Sequence, residues 1–221
     1  MFNSNPNTQN EWLTKERVLE YLSKANNIPH RTEGESVLLD HIPLNAKSVL
    51  NLGTGNGRLI KILNEERPNI EEAVAIDVSP FMLKAIRENF ADDSSVKIIE
   101  HDLSNSLPYD ESFGGRSFDV VVSSFAIHHL THERKRSLYS EIFPILNPNG
   151  IFCNLDHVSS PTYRLHERFT AKLGKTPETE DRSNRLLDVK SQLRWLQEIG
   201  FVDVDCYWKW LEFALLVGVK P

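Results

Sequence analysis

Between Ser48 and Asp156 the sequence changes period again and again, and this alternation constrains the fold more than any other feature. Ser48 to Leu52 is a short apolar run of strand character. Arg58 to Glu66 has helical spacing and stops before Pro68. Ala73 to Val78 reads as a second strand. Ser79-Pro80 opens the next helix, with Ser as N-cap and Pro at the first helical position. That helix runs to about Phe90, with Phe81, Ala85 and Ile86 on its inner side. Val96 to Glu100 and Phe118 to Ser123 are the third and fourth strands. Arg134 to Leu146 is helical, Asn147 to Gly150 is a turn, and Ile151 to Asp156 is the fifth strand. Such repeats predict an α/β fold: a doubly wound, mostly parallel sheet with helices on both faces. Phe201 to Tyr207 and Leu211 to Val219 add two strands separated by few residues. They are expected to pair antiparallel and bring the sheet to seven strands.

The flanks carry other signals. Residues 1–10 are rich in Asn and are expected to form a mobile terminus. Glu11 to Ala25 has helical spacing, with Trp12, Val18, Leu19, Leu22 and Ala25 leaning to one side. Thr32 and Glu35 stand at capping-box spacing ahead of Val37, Leu38, Leu39 and Ile42, and Pro43 stops that helix. Residues 157–188 are polar, contain Pro161 and Pro177, and hold one short helix near Tyr163 to Leu173. Val189 to Ile199 is helical, with Gly200 as its terminal glycine. The expected organisation is a tail and helical lid over 1–30, then one domain over 31–221 with a substrate-side insertion at about 157–188.

Composition narrows the partners. A chain of 221 residues with 40% hydrophobic content supports one sizeable core. The net charge of -6 argues against broad binding to a phosphate backbone. DNA is therefore not expected, while a small patch reading one RNA stays open. No run is long enough to span a membrane. The start, "MFNSNPNTQNEW", is not a secretory signal. Cys153 and Cys206 lie in apolar runs, form no ligand pattern and are expected to be buried thiols. The expectation is a soluble, cytoplasmic, reduced protein.

The stretch "VLNLGTGNGRL", Val49 to Leu59, follows the first strand. Gly53, Gly55 and Gly57 give G-x-G-x-G. A dinucleotide loop needs its third glycine at position 58, where this chain has Arg, and no Gly-Lys pair supplies a phosphate loop. Arg58 also weighs against a nicotinamide oxidoreductase. Asp77 ends the second strand, 20 residues after Gly57, where a carboxylate can accept hydrogen bonds from both ribose hydroxyls. Asp102 lies just past the third strand. The loop and the two acids fall on one rim of the sheet.

These residues carry a resemblance. "VLNLGTGNGRL", "AVAIDVSPFML", "IIEHDLSNSLPY", "FDVVVSSFAIHHL" and "LNPNGIFCNLD" occur in the order seen in class I S-adenosylmethionine-dependent methyltransferases, and "FVDVDCYWKWLEFALLVGVKP" resembles that fold's closing hairpin. The resemblance covers about residues 30–221. It implies S-adenosylmethionine as cofactor. Gly53, Thr54 and Gly55 would pack against its methionine part, and Asp77 would hold the ribose. Val78, Asp102 and Leu103 would meet the adenine, and Ser124 would border the transferred methyl group. Arg31 would pair with the cofactor carboxylate or serve as a solvated cation at a helix start. Asn51 stands where members usually carry an acid, so it offers the cofactor ammonium an acceptor without a charge.

Methyl transfer is an in-line displacement that needs alignment and, for a hydroxyl or amine, removal of a proton. "AIHHLTHE" follows the fourth strand and offers His128 and His129 for that role. Either could instead only fill the strand–helix junction. His128 and His132 have i, i+4 spacing, but a zinc helix would need Glu at 129, so no metal is expected. His157 at the end of the fifth strand and Tyr21 of the lid are candidates for the acceptor pocket, with Tyr163 and His166 further out. "WKWLEF", Trp208 to Phe213, reads as the hairpin and its turn. The expected function is O- or N-methylation of a small molecule. The alternatives are a tRNA-modification enzyme using a modified cofactor, or a non-catalytic module that holds the cofactor.

Overall fold

The computed structural model describes residues 11–25, 27–109, 112–176 and 179–221. The Asn-rich segment 1–10, expected to be a mobile terminus, lies outside the described residues. The strands are β1 Ser48–Leu52, β2 Glu72–Asp77, β3 Val96–Glu100, β4 Phe118–Ser124, β5 Leu146–His157, β6 Val202–Trp210 and β7 Phe213–Val219. They form one sheet in the order β3-β2-β1-β4-β5-β7-β6. The first five pair in parallel, and β7 lies antiparallel between β5 and β6. The helices are α1 Lys15–Ala25, α2 Arg31–His41, α3 Arg58–Glu66, α4 Pro80–Asn89, α5 His132–Ile145, α6 Tyr163–Lys172 and α7 Val189–Ile199. The doubly wound sheet with its terminal hairpin is the fold expected from the alternating periods.

A strand's period of two explains the layers. Alternate residues of a central strand leave on opposite faces, so a strand covered on both sides must be apolar throughout. Val49, Val120, Val122 and Cys153 pack with Leu38 of α2 and Leu59 and Leu63 of α3. Leu50, Leu52, Val121 and Phe152 pack on the other face with Tyr139 and Ile142 of α5 and Leu196 of α7. The edge strand β6 alternates exposed and half-buried residues instead. Its charged Asp203, Asp205 and Lys209 suit an edge that must not pair with another chain.

Several local expectations are corrected. The Thr32–Glu35 capping box does not form, because α2 begins two residues earlier, at Arg31. His30 sits at its N-cap in the left-handed region, at φ 59, with no side-chain cap bond. Glu35 is buried and bonds Arg31 and Arg58 instead. The α4 cap is as expected, with Ser79 accepting from the Met82 amide, but the buried face is Met82, Leu83 and Ile86 rather than Phe81 and Ala85. The turn at Asn147–Gly150 lies inside β5. Phe118 pairs with Leu146 while Val120 pairs with Ile151, so the surplus residues bulge, with Asn149 at φ 63. Turn chemistry was legible there, but a bulge used it. Cys153 is buried, whereas Cys206 is only half-buried on the edge strand. Leu19 is 54% exposed and does not belong to the packed side of α1. No helix among the described residues is long and apolar enough to cross a membrane.

Candidate active site

Strand order reverses between β1 and β4, which opens a crevice at the carboxyl ends of the strands. A cavity of about 370 Å³ lies there. Its nucleoside side is built largely from backbone. The glycine loop is tied to β2 by the Thr54 amide bonding the Ile76 carbonyl at 2.8 Å. Gly53 has φ +65, and a Cβ on it would stand 2.2 Å from Ala126 Cβ, so the loop and the segment after β4 meet with no room for a side chain. Asp77 accepts from the Gly55 amide at 2.8 Å and the Ser79 amide at 2.9 Å. Burial raises its pKa above the usual carboxylate value against those bonds. Val78, Asp102 and Leu103 line the same side, and Asp102 caps its own turn through the Ser104 amide.

At the other side stand Arg31, Asn51, Arg58 and Ser124. Arg31 is 6% exposed, so it is not a solvated cation. Its Nε donates to Glu35 at 2.8 Å, and Arg58 donates to the same carboxylate at 2.7 Å. Two guanidiniums on one carboxylate leave a positive excess that suits a ligand carboxylate. Asn51 donates through Nδ2 to Thr54 Oγ1 at 3.1 Å, and its Oδ1 is buried without a partner. His101 Nε2 and Ser124 Oγ are two more buried, unpartnered atoms of cavity-lining residues. Each such orphan costs about 1–3 kcal/mol until a ligand pairs it. A neutral acceptor at Asn51, a cation excess beside it and a ribose-ready Asp77 fit the ammonium, carboxylate and ribose of S-adenosylmethionine.

The histidine pair divides. His129 lines the cavity, and its Nδ1 lies 2.8 Å from Ser183 Oγ. Ser183 Oγ donates to Asp181 Oδ1 at 2.6 Å. Burial, and then the neighbouring His128, push the His129 pKa well below its usual value, so the ring is neutral at pH 7. The structure places His128 outside the cavity lining. It is 6% exposed and its Nδ1 bonds Asp156 Oδ1 at 2.6 Å, which turns it into the sheet–helix junction. His157 is outside as well. Its Nε2 bonds Glu212 at 2.9 Å among Phe169 and Phe213, because β5 ends with that side chain under α6. His166 shares Glu212 at 3.0 Å, and Tyr163 is 68% exposed.

Tyr21 and Trp12 line the cavity, whereas Leu19 does not. Trp12 meets the His129 ring edge-on at 5.3 Å and Tyr21 at 5.3 Å, and Arg17 of α1 pairs with Asp181. The sequence reading missed Asp181, Arg182, Ser183 and Arg185. They lie in a polar insertion with no spacing signal, and only tertiary contacts bring Arg182, Ser183 and Arg185 to the cavity, with Asp181 bonded to Ser183.

Comparison with known proteins agrees with this geometry. Residues 49–150 match the family model described as a methyltransferase domain. A carboxy-S-adenosyl-L-methionine synthase of Staphylococcus epidermidis is 24% identical over 187 residues, 78% of each chain. A malonyl-[acyl-carrier protein] O-methyltransferase of Marinomonas sp. is 35% identical over 127 residues, 56% of this chain and 44% of that protein. The structure of an O-methyltransferase family protein from Burkholderia thailandensis superposes with TM-score 0.72 at 16% identity, over 96% of this chain and 62% of that one. The chain thus spans less than two thirds of the length of the last two. With the ordered strands, the glycine loop and the acidic rim already in place, the chain is similar in sequence over residues 49–150, and in fold over nearly its whole length, to S-adenosylmethionine-dependent methyltransferases.

Proposed function

We propose that this protein transfers a methyl group from S-adenosylmethionine to a hydroxyl or amine of a small molecule, with His129 as the general base. The observation that carries the proposal is the arrangement at His129. Ser183 gives its own proton to Asp181, so its oxygen accepts from His129 Nδ1–H. That fixes the tautomer and leaves Nε2 as the basic atom. The lowered pKa keeps the ring unprotonated at neutral pH.

Bound cofactor supplies a methyl group already activated by its sulfonium. The protein's share is positioning. Asp77 and the glycine loop hold the nucleoside, Arg31 and Asn51 hold the amino acid, and Ser124 borders the transfer point. Trp12 and Tyr21 cover the base and reduce its access to water. A cavity of about 370 Å³ that must also hold the cofactor favours a small acceptor.

The test is a cofactor-consumption assay on acceptor libraries, run with wild type and His129→Ala after calorimetric titration of S-adenosylhomocysteine. The variant is expected to lose about a hundredfold in turnover with little change in cofactor affinity. Cofactor binding without turnover on any acceptor would return the chain to a non-catalytic module. Equal turnover in both proteins would remove His129 from the chemistry.

A further inference from the structure

The insertion brings two guanidiniums, Arg182 and Arg185, to the cavity. Four arginines line that space, and two of them, Arg31 and Arg58, share the Glu35 carboxylate. The other two have no carboxylate partner among the described residues. Arg185 Nη1 donates only to the carbonyls of Arg182 at 3.0 Å and Asn184 at 3.2 Å. Those bonds orient the guanidinium and leave its charge uncancelled. Arg182 is exposed at the rim and has no bond from its side chain to another described residue. The nearest acid in the chain, Asp181, is already engaged by Arg17 and by Ser183. Asp77 and Asp102 belong to the ends of β2 and β3, on the nucleoside side.

Position gives these charges a purpose. Ser183, the residue that bonds His129, stands between them in the chain. The Arg185 amide bonds the His128 carbonyl at 2.9 Å, so the segment runs alongside the turn that carries the base. It is also held firmly. Lys135, 1% exposed, donates from Nζ to the carbonyls of His128 at 3.2 Å, Arg185 at 2.6 Å and Leu130, and so pins insertion and base-bearing turn together. His132 Nε2 lies 3.1 Å from the Leu186 carbonyl, and the Ser159 amide bonds the Leu187 carbonyl at 3.1 Å. Two uncancelled cations on a braced segment, one at the rim and one half-buried, make a local positive field at the mouth of the cleft in a chain of net charge -6.

We infer that the methyl acceptor carries an oxyanion, a carboxylate or a phosphate ester, which Arg182 and Arg185 bind so that its nucleophilic atom faces His129. This rests on the methyl-transfer reading above and adds the acceptor's chemical class. Guanidinium pairs recognise both oxyanions through parallel N–H donors, and a neutral amide of the same shape cannot satisfy them. Binding the anion at the acceptor end spends its energy on orientation.

The experiment uses the full chain. S-adenosylhomocysteine is titrated first. Then hydroxy- and amino-substituted aromatic and aliphatic carboxylic acids, their primary amides and the matching phosphate esters are tested for binding and turnover. Arg182→Gln and Arg185→Gln are compared with wild type. Anionic members are expected to exceed their amides by about tenfold or more, and each variant to raise KM for them by a similar factor. Cofactor affinity should stay within about twofold, because neither side chain is placed against the cofactor. The carboxylate and phosphate arms tell which oxyanion is taken. Arg182→Gln removes no side-chain bond to another described residue, and urea unfolding of the variant separates a loss of acceptor binding from a loss of fold. Acids and amides that behave alike, an absence of any anion binding while S-adenosylhomocysteine binds, or unchanged KM in both variants would overturn the inference alone. Absence of S-adenosylhomocysteine binding would overturn the methyl-transfer reading and the inference with it.

Discussion

The two ends of the cavity are built on different physical principles. The nucleoside end, Gly53 to Leu103, is assembled from short-range geometry. Its strands, their terminal acids and a glycine loop meet through backbone bonds such as Thr54 to Ile76 and Gly55 to Asp77. The acceptor end is assembled from side chains far apart in sequence: Arg17 with Asp181, Ser183 with His129, and Lys135 with the Arg185 carbonyl. The first end is stiff because the sheet defines it. The second is held by side-chain contacts, so one substitution in the insertion changes what His129 faces. A fixed cofactor and a variable acceptor suit that division.

The sharpest way to break the comparison is at glycines with the same φ. Gly53→Ala would put a Cβ 2.2 Å from Ala126 at φ +65, whereas Gly174, also at φ +65, has nothing within 4 Å of its Cβ. Gly53→Ala is expected to cost about 3–4 kcal/mol of stability and to abolish cofactor binding. Gly174→Ala should cost only about 1 kcal/mol. Urea unfolding of both variants decides it, and equal costs would mean the nucleoside loop is no more constrained than the insertion.

Asp77→Ala should weaken S-adenosylhomocysteine binding by ~2 kcal/mol or more, through lost charge-assisted bonds to the ribose. An unchanged dissociation constant by calorimetry would detach Asp77 from the nucleoside. On the acceptor side, Ser183→Ala frees the His129 tautomer without touching the cofactor. Turnover is expected to fall about tenfold, with the acid limb of the pH–rate profile displaced and the cofactor dissociation constant steady. A fall in both together would make Ser183 structural.

The smallest expected effect is in stability against pH, where the two ends have opposite signs. Burial lowers the pKa of His129 and His157 in the folded chain. The unfolded chain therefore binds more protons below about pH 6.5, and stability is lost as pH falls from there toward the lowered folded values. Asp77 is raised by burial, so its carboxylate weighs against the fold above its folded pKa, and that cost is relieved as pH falls through it toward 3.8. Thermal melts should therefore drop first between about pH 6.5 and 5. His129→Ala should flatten that drop, and Asp77→Asn should leave it unchanged. A drop that survives His129→Ala in full would place the titrating group elsewhere.

The difference between the ends also sets what could be read in advance. The β1 and β3 bounds, the α3 and α7 bounds, the Ser79 cap and the left-handed Gly200 all follow from local period and capping, and all stand as expected. Three of the misreadings show a local signal overruled by a partner further along the chain. Glu35 at capping-box spacing was taken by Arg31 and by Arg58, 23 residues on. The Asn147–Gly150 turn was drawn into β5 by pairing with β4, and by the Asn149 amide bonding the Lys220 carbonyl at 2.8 Å. His128 and His129 are adjacent in sequence and similar in chemistry, and only Asp156 on β5 and Ser183 in the insertion separate them into a buried strut and a cavity-lining ring.

By itself, then, the sequence determined the sheet, its glycine loop and the acids on its rim. Each of these depends on φ/ψ preference and side-chain period within a few residues, which a single chain displays openly. Only the tertiary structure decided which histidine faces the cavity, that Arg31 is buried, and that Arg182 and Arg185 line the same cavity as His129. Those outcomes depend on loop closures of tens of residues, where any polar residue of the insertion could have been the one delivered. The energy that selects among them is in contacts such as the three carbonyls around Lys135, which no local pattern encodes.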